Sequence, residues 1–181
     1  VRTMMLEAVG ADPEAEIPVA SRSDREVRDA LRVAYHGRLA QIAAADVCSA
    51  EPTAIQPRVS VAISDLADAA LEAAAAISRA AVEGAEKVRW AVIALGKTGA
   101  RELNYLSDVD VVFVSDPADA RASRVAGEMM RIGSMAFFEV DAALRPEGRS
   151  GELVRTLESH TAYYTRWAKT WEFQALLKSR P

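Results

Sequence analysis

Between Leu95 and Val114 the chain reads Leu-Gly-Lys-Thr-Gly-Ala-Arg-Glu-Leu-Asn-Tyr-Leu-Ser-Asp-Val-Asp-Val-Val-Phe-Val, and no other stretch restricts the fold as tightly. Val109 to Ser115 has the length and composition of a buried strand. Successive strand side chains alternate faces, so Asp108 and Asp110 project on the same side and bring two carboxylates together. Such a pair repels itself unless a cation lies between its members. Carboxylate oxygens at a phosphate site suit Mg²⁺, a hard ion that keeps several waters and completes its shell with substrate phosphates. Gly96 and Gly99 permit close backbone approach, and Arg101-Glu102-Leu103 can begin a helix whose free N–H groups face a phosphate. A nucleotide carrying Mg²⁺ suits both halves. A Gly-x-x-Gly or an Asp-x-Asp alone is common in ordinary turns; their spacing, with Ser107 directly before the first aspartate, favours the site.

At 181 residues the chain suits one domain, or a small domain with an appendage, and can bury a substantial core. Half its residues are hydrophobic, many of them alanine, which favours helices over a sheet sandwich. A net charge of −4 argues against a general polyanion-binding surface, so a long nucleic acid is not an expected partner. The single cysteine, Cys48, excludes an intrachain disulfide and a Cys-cluster zinc site. No apolar run reaches the ~20 residues of a membrane span, and no signal-peptide pattern opens the chain, so a reducing cytoplasm is the expected compartment. The start at Val1 and the stop at Pro181 straight after a helical segment are what an excised fragment would show.

In chain order, a short helix over Val1–Val9 ends at Gly10-Ala11-Asp12-Pro13. Ser23-Asp24-Arg25-Glu26 has the form of a capping box and opens a helix from about Asp24 to Ala45. Two prolines between Ala50 and Pro57 predict a break, and a second long helix follows from about Val61 to Glu83. Lys87–Leu95 reads as a strand, Ala118–Met135 as a helix with Val125, Met129, Met130 and Ile132 inward, and Ala136–Leu144 as a third strand. If that strand lies beside the Asp108 strand, Asp141 completes a carboxylate triad of the kind two metal ions, or a metal and a base, require; the alternative is a strand-end aspartate facing solvent. Arg145 and Arg149, in the turn-rich loop that follows, suit phosphate recognition and equally suit a solvated loop. Glu158–Lys178 reads as one helix with a stripe of Tyr163, Tyr164, Trp167 and Trp171, expected to serve core or domain packing. His36 and His160 have no ligand-forming neighbours at useful spacing. Three segments result: a helical region over 1–86, a catalytic core over 87–155, and the start of a helical bundle over 156–181.

Three blocks in order make a resemblance specific. They are Gly96-Lys97-x-Gly99-x-Arg101-Glu102-Leu103-Asn104-Tyr105-x-Ser107-Asp108-x-Asp110, then Val140-Asp141-x-x-Leu144-Arg145-Pro146-x-Gly148-x-Ser150-Gly151-x-Leu153-Val154, then Trp171-Glu172-x-Gln174-Ala175-Leu176-x-Lys178-x-Arg180. Together they resemble one nucleotidyltransferase domain of the bifunctional glutamine synthetase adenylyltransferase and adenylyl-removing enzymes, strongly from Ala91 to Pro181 and more loosely before. The resemblance implies an α+β fold of the polymerase-beta nucleotidyltransferase type, a small mixed sheet with helices, here preceded by an Ala-rich helical segment and followed by the start of a helical bundle. It implies that Asp108, Asp110 and Asp141 are the catalytic, metal-binding carboxylates. Gly96, Gly99, Ser107 and Arg145 would lie at the nucleotide, with Mg²⁺, or alternatively Mn²⁺, as the ion.

Enzymes of this family carry two such domains: one transfers AMP from ATP to a tyrosine of glutamine synthetase, and the other removes it by phosphorolysis, releasing ADP. The Ser-Asp-Val-Asp-Val-Val-Phe-Val string and the ending Lys169 to Lys178 resemble the N-terminal, adenylyl-removing half of actinobacterial members. Removal of AMP is therefore the expected activity, with the adenylylating half and a regulatory nucleotide-binding module as alternatives. Glutamine synthetase is the implied partner, together with a PII signalling protein acting through the full-length enzyme. Two positions depart from the family pattern: Ala100 stands where a second glycine is frequent, and Ala143 where a polar residue is frequent.

Overall fold

Capping and burial set the helical part of the molecule, which is seen in a computed structural model describing all 181 residues. The first helix, α1 (Arg2–Ala8), buries Met5 and Leu6. The second, α2 (Arg25–Val47), is capped by Asp24, whose side chain accepts from the Val27 N–H at 3.2 Å. The expected Ser23 cap is thus displaced by one residue: an aspartate is as good an acceptor as serine, and its charge also favours the positive end of the helix. The third helix, α3 (Pro52–Ala81), starts well before the expected Val61, so the break between α2 and α3 shrinks to Cys48–Glu51. Pro52 occupies a first-turn position that needs no donor, and Pro57 lies inside the helix one turn later. The carbonyl that Pro57 cannot serve is that of the exposed Thr53, where water is available.

Helix α3 is the axis of the core. Its alanine-rich surface lets α1, α2 and a later helix approach it from several sides, and Leu66, Ala67, Ala70, Ala73, Ala74 and Ile77 are fully buried. One continuous apolar cluster runs from Met5 to Val154, so the helical region and the sheet share a core. Leu66→Ala is expected to destabilise the protein by about 2–5 kcal/mol, the cost of lost transfer energy plus a cavity, as read by chemical denaturation.

After a 3₁₀ turn at Ala85–Lys87, strand β1 (Trp90–Ala94) begins three residues later than the sequence predicts. A single short helical turn, α4 (Gly96–Ala100), follows. Strand β2 (Val109–Ser115) is the hub of the sheet. It pairs antiparallel with β1, from Trp90 opposite Ser115 to Ala94 opposite Val111. Trp90 and Phe113 stack face to face with ring centroids 5.5 Å apart. Helix α5 (Ala120–Ala136) packs on α3 and is capped by Asp119, which accepts from the N–H groups of Arg121 and Ala122.

The other edge of β2 carries two short parallel strands, β3 (Val140–Asp141) and β4 (Val154–Arg155). The long third strand expected over Ala136–Leu144 is thereby reduced to two residues. Ala136 still belongs to α5, and Phe137 and Phe138 turn onto the Tyr35 ring, at 5.2 and 5.7 Å. A tertiary contact has overridden the strand preference of the aromatic pair.

The expected single C-terminal helix is two, α6 (Leu157–Arg166) and α7 (Thr170–Leu176). Glu172 explains the break. Its carboxylate, 2% exposed, accepts from the Lys169 N–H at 2.7 Å and from the Tyr163 hydroxyl at 2.7 Å, which caps α7 and folds it back on α6. Trp167 and Trp171 stand largely in solvent. No helix is long and apolar enough to cross a membrane.

Candidate active site

Ladder geometry brings the aspartates together. Parallel pairing sets Asp110 of β2 directly opposite Asp141 of β3, which places both side chains on one face of the sheet a strand spacing apart. Asp108 lies two residues before Asp110, just ahead of the strand, and is exposed, whereas Asp110 and Asp141 are half-buried. The Asp110 carboxyl is pushed above the usual carboxylate range, first by burial, then by the negative charges of Asp108 and Asp141, while Lys97 works in the opposite direction. Lys97 was not singled out by the sequence, although a cation inside a glycine loop facing an acidic pair is a recognisable signal.

The glycine loop takes a different form from the expected one. Its helix begins at Gly96, not after Gly99, and Arg101 closes it in a left-handed conformation with φ of 60°. Arg101 is held there by an ion pair with Asp65 of α3. The free N–H groups of the first turn therefore belong to the segment starting at Gly96, next to the carboxylates. Gly96 has a φ of 52°, and a Cβ there would stand 3.1 Å from Oδ2 of Asp110, so this glycine lets α4 start against the acidic cluster.

Gly99, expected at the phosphates, faces elsewhere. Its N–H donates to the Leu95 carbonyl at 2.9 Å. A Cβ at this position would lie 2.7 Å from the Ala94 carbonyl oxygen and nearer still to that of Lys178, so the glycine makes room for the returning C-terminal segment. Arg145 is also engaged within the protein. Its guanidinium donates to the carbonyls of Ala142, Arg149 and Gly151 at 2.8, 3.0 and 3.1 Å, stitching the loop between β3 and β4. Burial lowers its pKa. Arg149 is the free arginine of that loop: its side chain is 79% exposed and ends 3.6 Å from Oδ2 of Asp141. Ser107 directly precedes Asp108, and its hydroxyl donates to Oδ1 of Asn104 at 3.0 Å and accepts from the Asn104 N–H.

All three carboxylates offer hard oxygen donors, the chemistry that Mg²⁺ selects. They do not converge into a ready three-ligand group. Asp141 is turned partly aside, with Oδ1 accepting from the Ala143 N–H at 2.8 Å and Oδ2 toward Arg149. Mg²⁺ needs only one or two protein carboxylates and draws the rest of its shell from water and phosphate, so the residues fit it, with Asp108 and Asp110 as the primary pair. The histidines lie outside this set: Nδ1 of His36 pairs with its own helix at the Arg32 carbonyl, and His160 stacks on Tyr164.

Residues 5–181 match the model of the glutamate–ammonia ligase adenylyltransferase family. The chain belongs to that family. Among curated relatives, the bifunctional glutamine synthetase adenylyltransferase/adenylyl-removing enzyme of Mycobacterium tuberculosis is 60% identical over 83% of this chain and 16% of its own length. The enzyme of the same description from Corynebacterium glutamicum is 54% identical over 90% of this chain and 17% of its own. That of Bifidobacterium longum is 48% identical over 99% of this chain and 18% of its own. The chain thus spans less than a fifth of the length of these relatives. Family membership makes the chain part of a nucleotidyltransferase lineage, and its small mixed sheet of four strands with seven helices is the mixed α+β architecture expected from the sequence.

Proposed function

We propose that this chain removes AMP from the adenylyl-tyrosine of glutamine synthetase by Mg²⁺-dependent phosphorolysis, releasing ADP. The observation that carries the proposal is the register that sets Asp110 opposite Asp141, with Asp108 beside them and the Asp110 carboxyl raised by its neighbours. Carboxylates held together at such cost are arranged for a cation.

When bound, the ion neutralises charge on the oxygens around the phosphorus under attack. Asp108 and Asp110 would hold it. Lys97 and Arg149 flank the carboxylates and orient the phosphate anions. An oxygen of hydrogen phosphate forms the new bond to the AMP phosphorus, giving ADP, and the bond to the tyrosine oxygen breaks; the proton of the hydrogen phosphate passes to that oxygen, which leaves as the phenol. Inorganic phosphate is already anionic, so no base is needed to generate the nucleophile. In the opposite transfer, Asp141 accepts the proton of the attacking tyrosine hydroxyl. ATP-dependent adenylylation of the same tyrosine is accordingly the second reading, favoured by the family description itself. A PII signalling protein acting through a longer chain, and a reducing cytoplasm, belong to the same proposal.

Incubating the protein with adenylylated glutamine synthetase, inorganic phosphate and Mg²⁺ is expected to yield ADP. Transfer of AMP from ATP without ADP formation would replace the first reading with the second.

A further inference from the structure

The outer edge of β1 is an incomplete ladder. The Leu95 N–H donates to the Asp110 carbonyl at 2.9 Å and the Asp116 N–H to the Arg89 carbonyl at 3.1 Å, which fixes the alternation: odd-numbered residues of this segment bond to β2. Trp90, Val92 and Ala94 therefore turn their N–H and C=O groups to the opposite edge. Ala94 is satisfied there, since its N–H donates to the Arg180 carbonyl at 2.7 Å and its carbonyl accepts from the Arg180 N–H at 2.9 Å. This is one antiparallel rung. Val92 and Trp90 have no partner for the same groups.

We propose that the residues immediately following Pro181 in the longer proteins that contain this chain continue this rung as a fifth strand, antiparallel to β1. The relatives of which this chain covers 16–18% are several times its length, and part of that further length is taken to follow Pro181. The rung sets direction and register: the first residue beyond Pro181 exchanges hydrogen bonds with Val92 and the third with Trp90. Pro181 falls opposite Ile93, where a backbone nitrogen points away from β1, so its missing donor costs nothing. The path is open, because a groove of about 350 Å³ leads from Arg180 and Pro181 along Val92 and Trp90.

The floor of this groove chooses the side chains. Arg180 reaches α3, with its guanidinium 2.8 and 3.0 Å from the Asp68 carboxylate oxygens, so the first and third following residues share the helix-facing side. Leu71 and Ala75 wait there, which calls for apolar or small side chains at these two positions. The strand also secures the active site at second hand. Arg180 donates to the carbonyls of Thr98 and Gly99 in α4, the turn that starts beside Asp110. Fixing the segment fixes Arg180.

Hydrogen exchange of the Trp90 and Val92 amides tests the proposal, compared between the 181-residue chain and the natural longer chain. Slowing by about tenfold or more at both amides is expected in the longer chain, as for hydrogen-bonded strand positions. Equal exchange in the two would overturn it. Proline at the first residue beyond Pro181 removes a donor to β1 and is expected to abolish the protection, whereas proline at the second residue leaves it intact. The reverse pattern, or protection that depends on protein concentration as a strand from a second copy would give, would also overturn it.

Discussion

Asp110→Asn is expected to lower ADP release by at least about a thousandfold while raising the melting temperature measured without divalent cation. The loss follows from the several kcal/mol of charge stabilisation that a bound metal ion contributes to a phosphoryl-type transition state, with each ~1.4 kcal/mol worth a factor of ten. The stability gain follows from linkage. The folded Asp110 carboxyl has a pKa above its ordinary value of 3.8. The native state therefore binds the proton more tightly than the unfolded chain, and stability falls as pH rises from that value through the folded one. Above the folded value the full cost of the charge is present, and asparagine removes it. Stability of the wild-type protein should accordingly decline between those two values, and the decline should flatten in the variant. Titration with Mg²⁺ under thermal melting separates the two effects: the wild type gains stability with the ion, and Asp110→Asn does not. An Asp110→Asn protein that kept its turnover would remove the carboxylate cluster from the chemistry.

Gly99→Ala is expected to destabilise the fold by about 1–3 kcal/mol, the range for forcing an extra methyl group into a packed site. A melting temperature lower by about 3–10 °C would result in a chain of this size. The added Cβ has no free direction. It meets the backbone of Ala94 on one side and of Lys178 on the other, and backbone cannot rotate away as a long side chain can. Gly127 provides the control, since a Cβ there meets nothing within 4 Å; alanine in the middle of α5 should be neutral, or stabilising by up to ~1 kcal/mol. Because α4 moves with Gly99, the destabilised variant should also bind nucleotide more weakly. A Gly99→Ala protein as stable as the wild type would mean that the C-terminal segment does not press on α4.

What the sequence discloses is governed by the range of the contacts involved. β2 is legible to its ends because its signal is local: an apolar run between an aspartate pair and Asp116-Pro117. The inner side of α5 is legible for the same reason, and Val125, Met129 and Ile132 are buried as their spacing predicts. The cap at Asp24 and the early start of α3 at Pro52 are local departures, whereas the others depend on partners outside the segment concerned. Phe137 and Phe138 leave the strand to meet Tyr35, Arg101 ends α4 in reach of Asp65, and the break between α6 and α7 depends on a carboxylate finding Tyr163. The glycine pair illustrates the point most directly. A loop of this composition reads as one phosphate cradle, yet Gly96 answers to Asp110 and Gly99 to Lys178, a neighbour that no local pattern announces. β4 is two residues long, too short for any periodicity to register.

The pairing of β2 with β3 acts as a ruler. Everything between Ser115 and Phe138, helix α5 included, can lengthen or shorten over evolutionary time without altering the distance between Asp110 and Asp141, because that distance is the strand spacing itself. A slip of β3 by one residue is another matter. It would present Val140 or Ala142 where Asp141 now stands and turn the carboxylate through to the core face. The site is thus tolerant of insertions on the far side of the helix and intolerant of a single one between Phe138 and Val140, an asymmetry that insertion scanning along this segment would display directly.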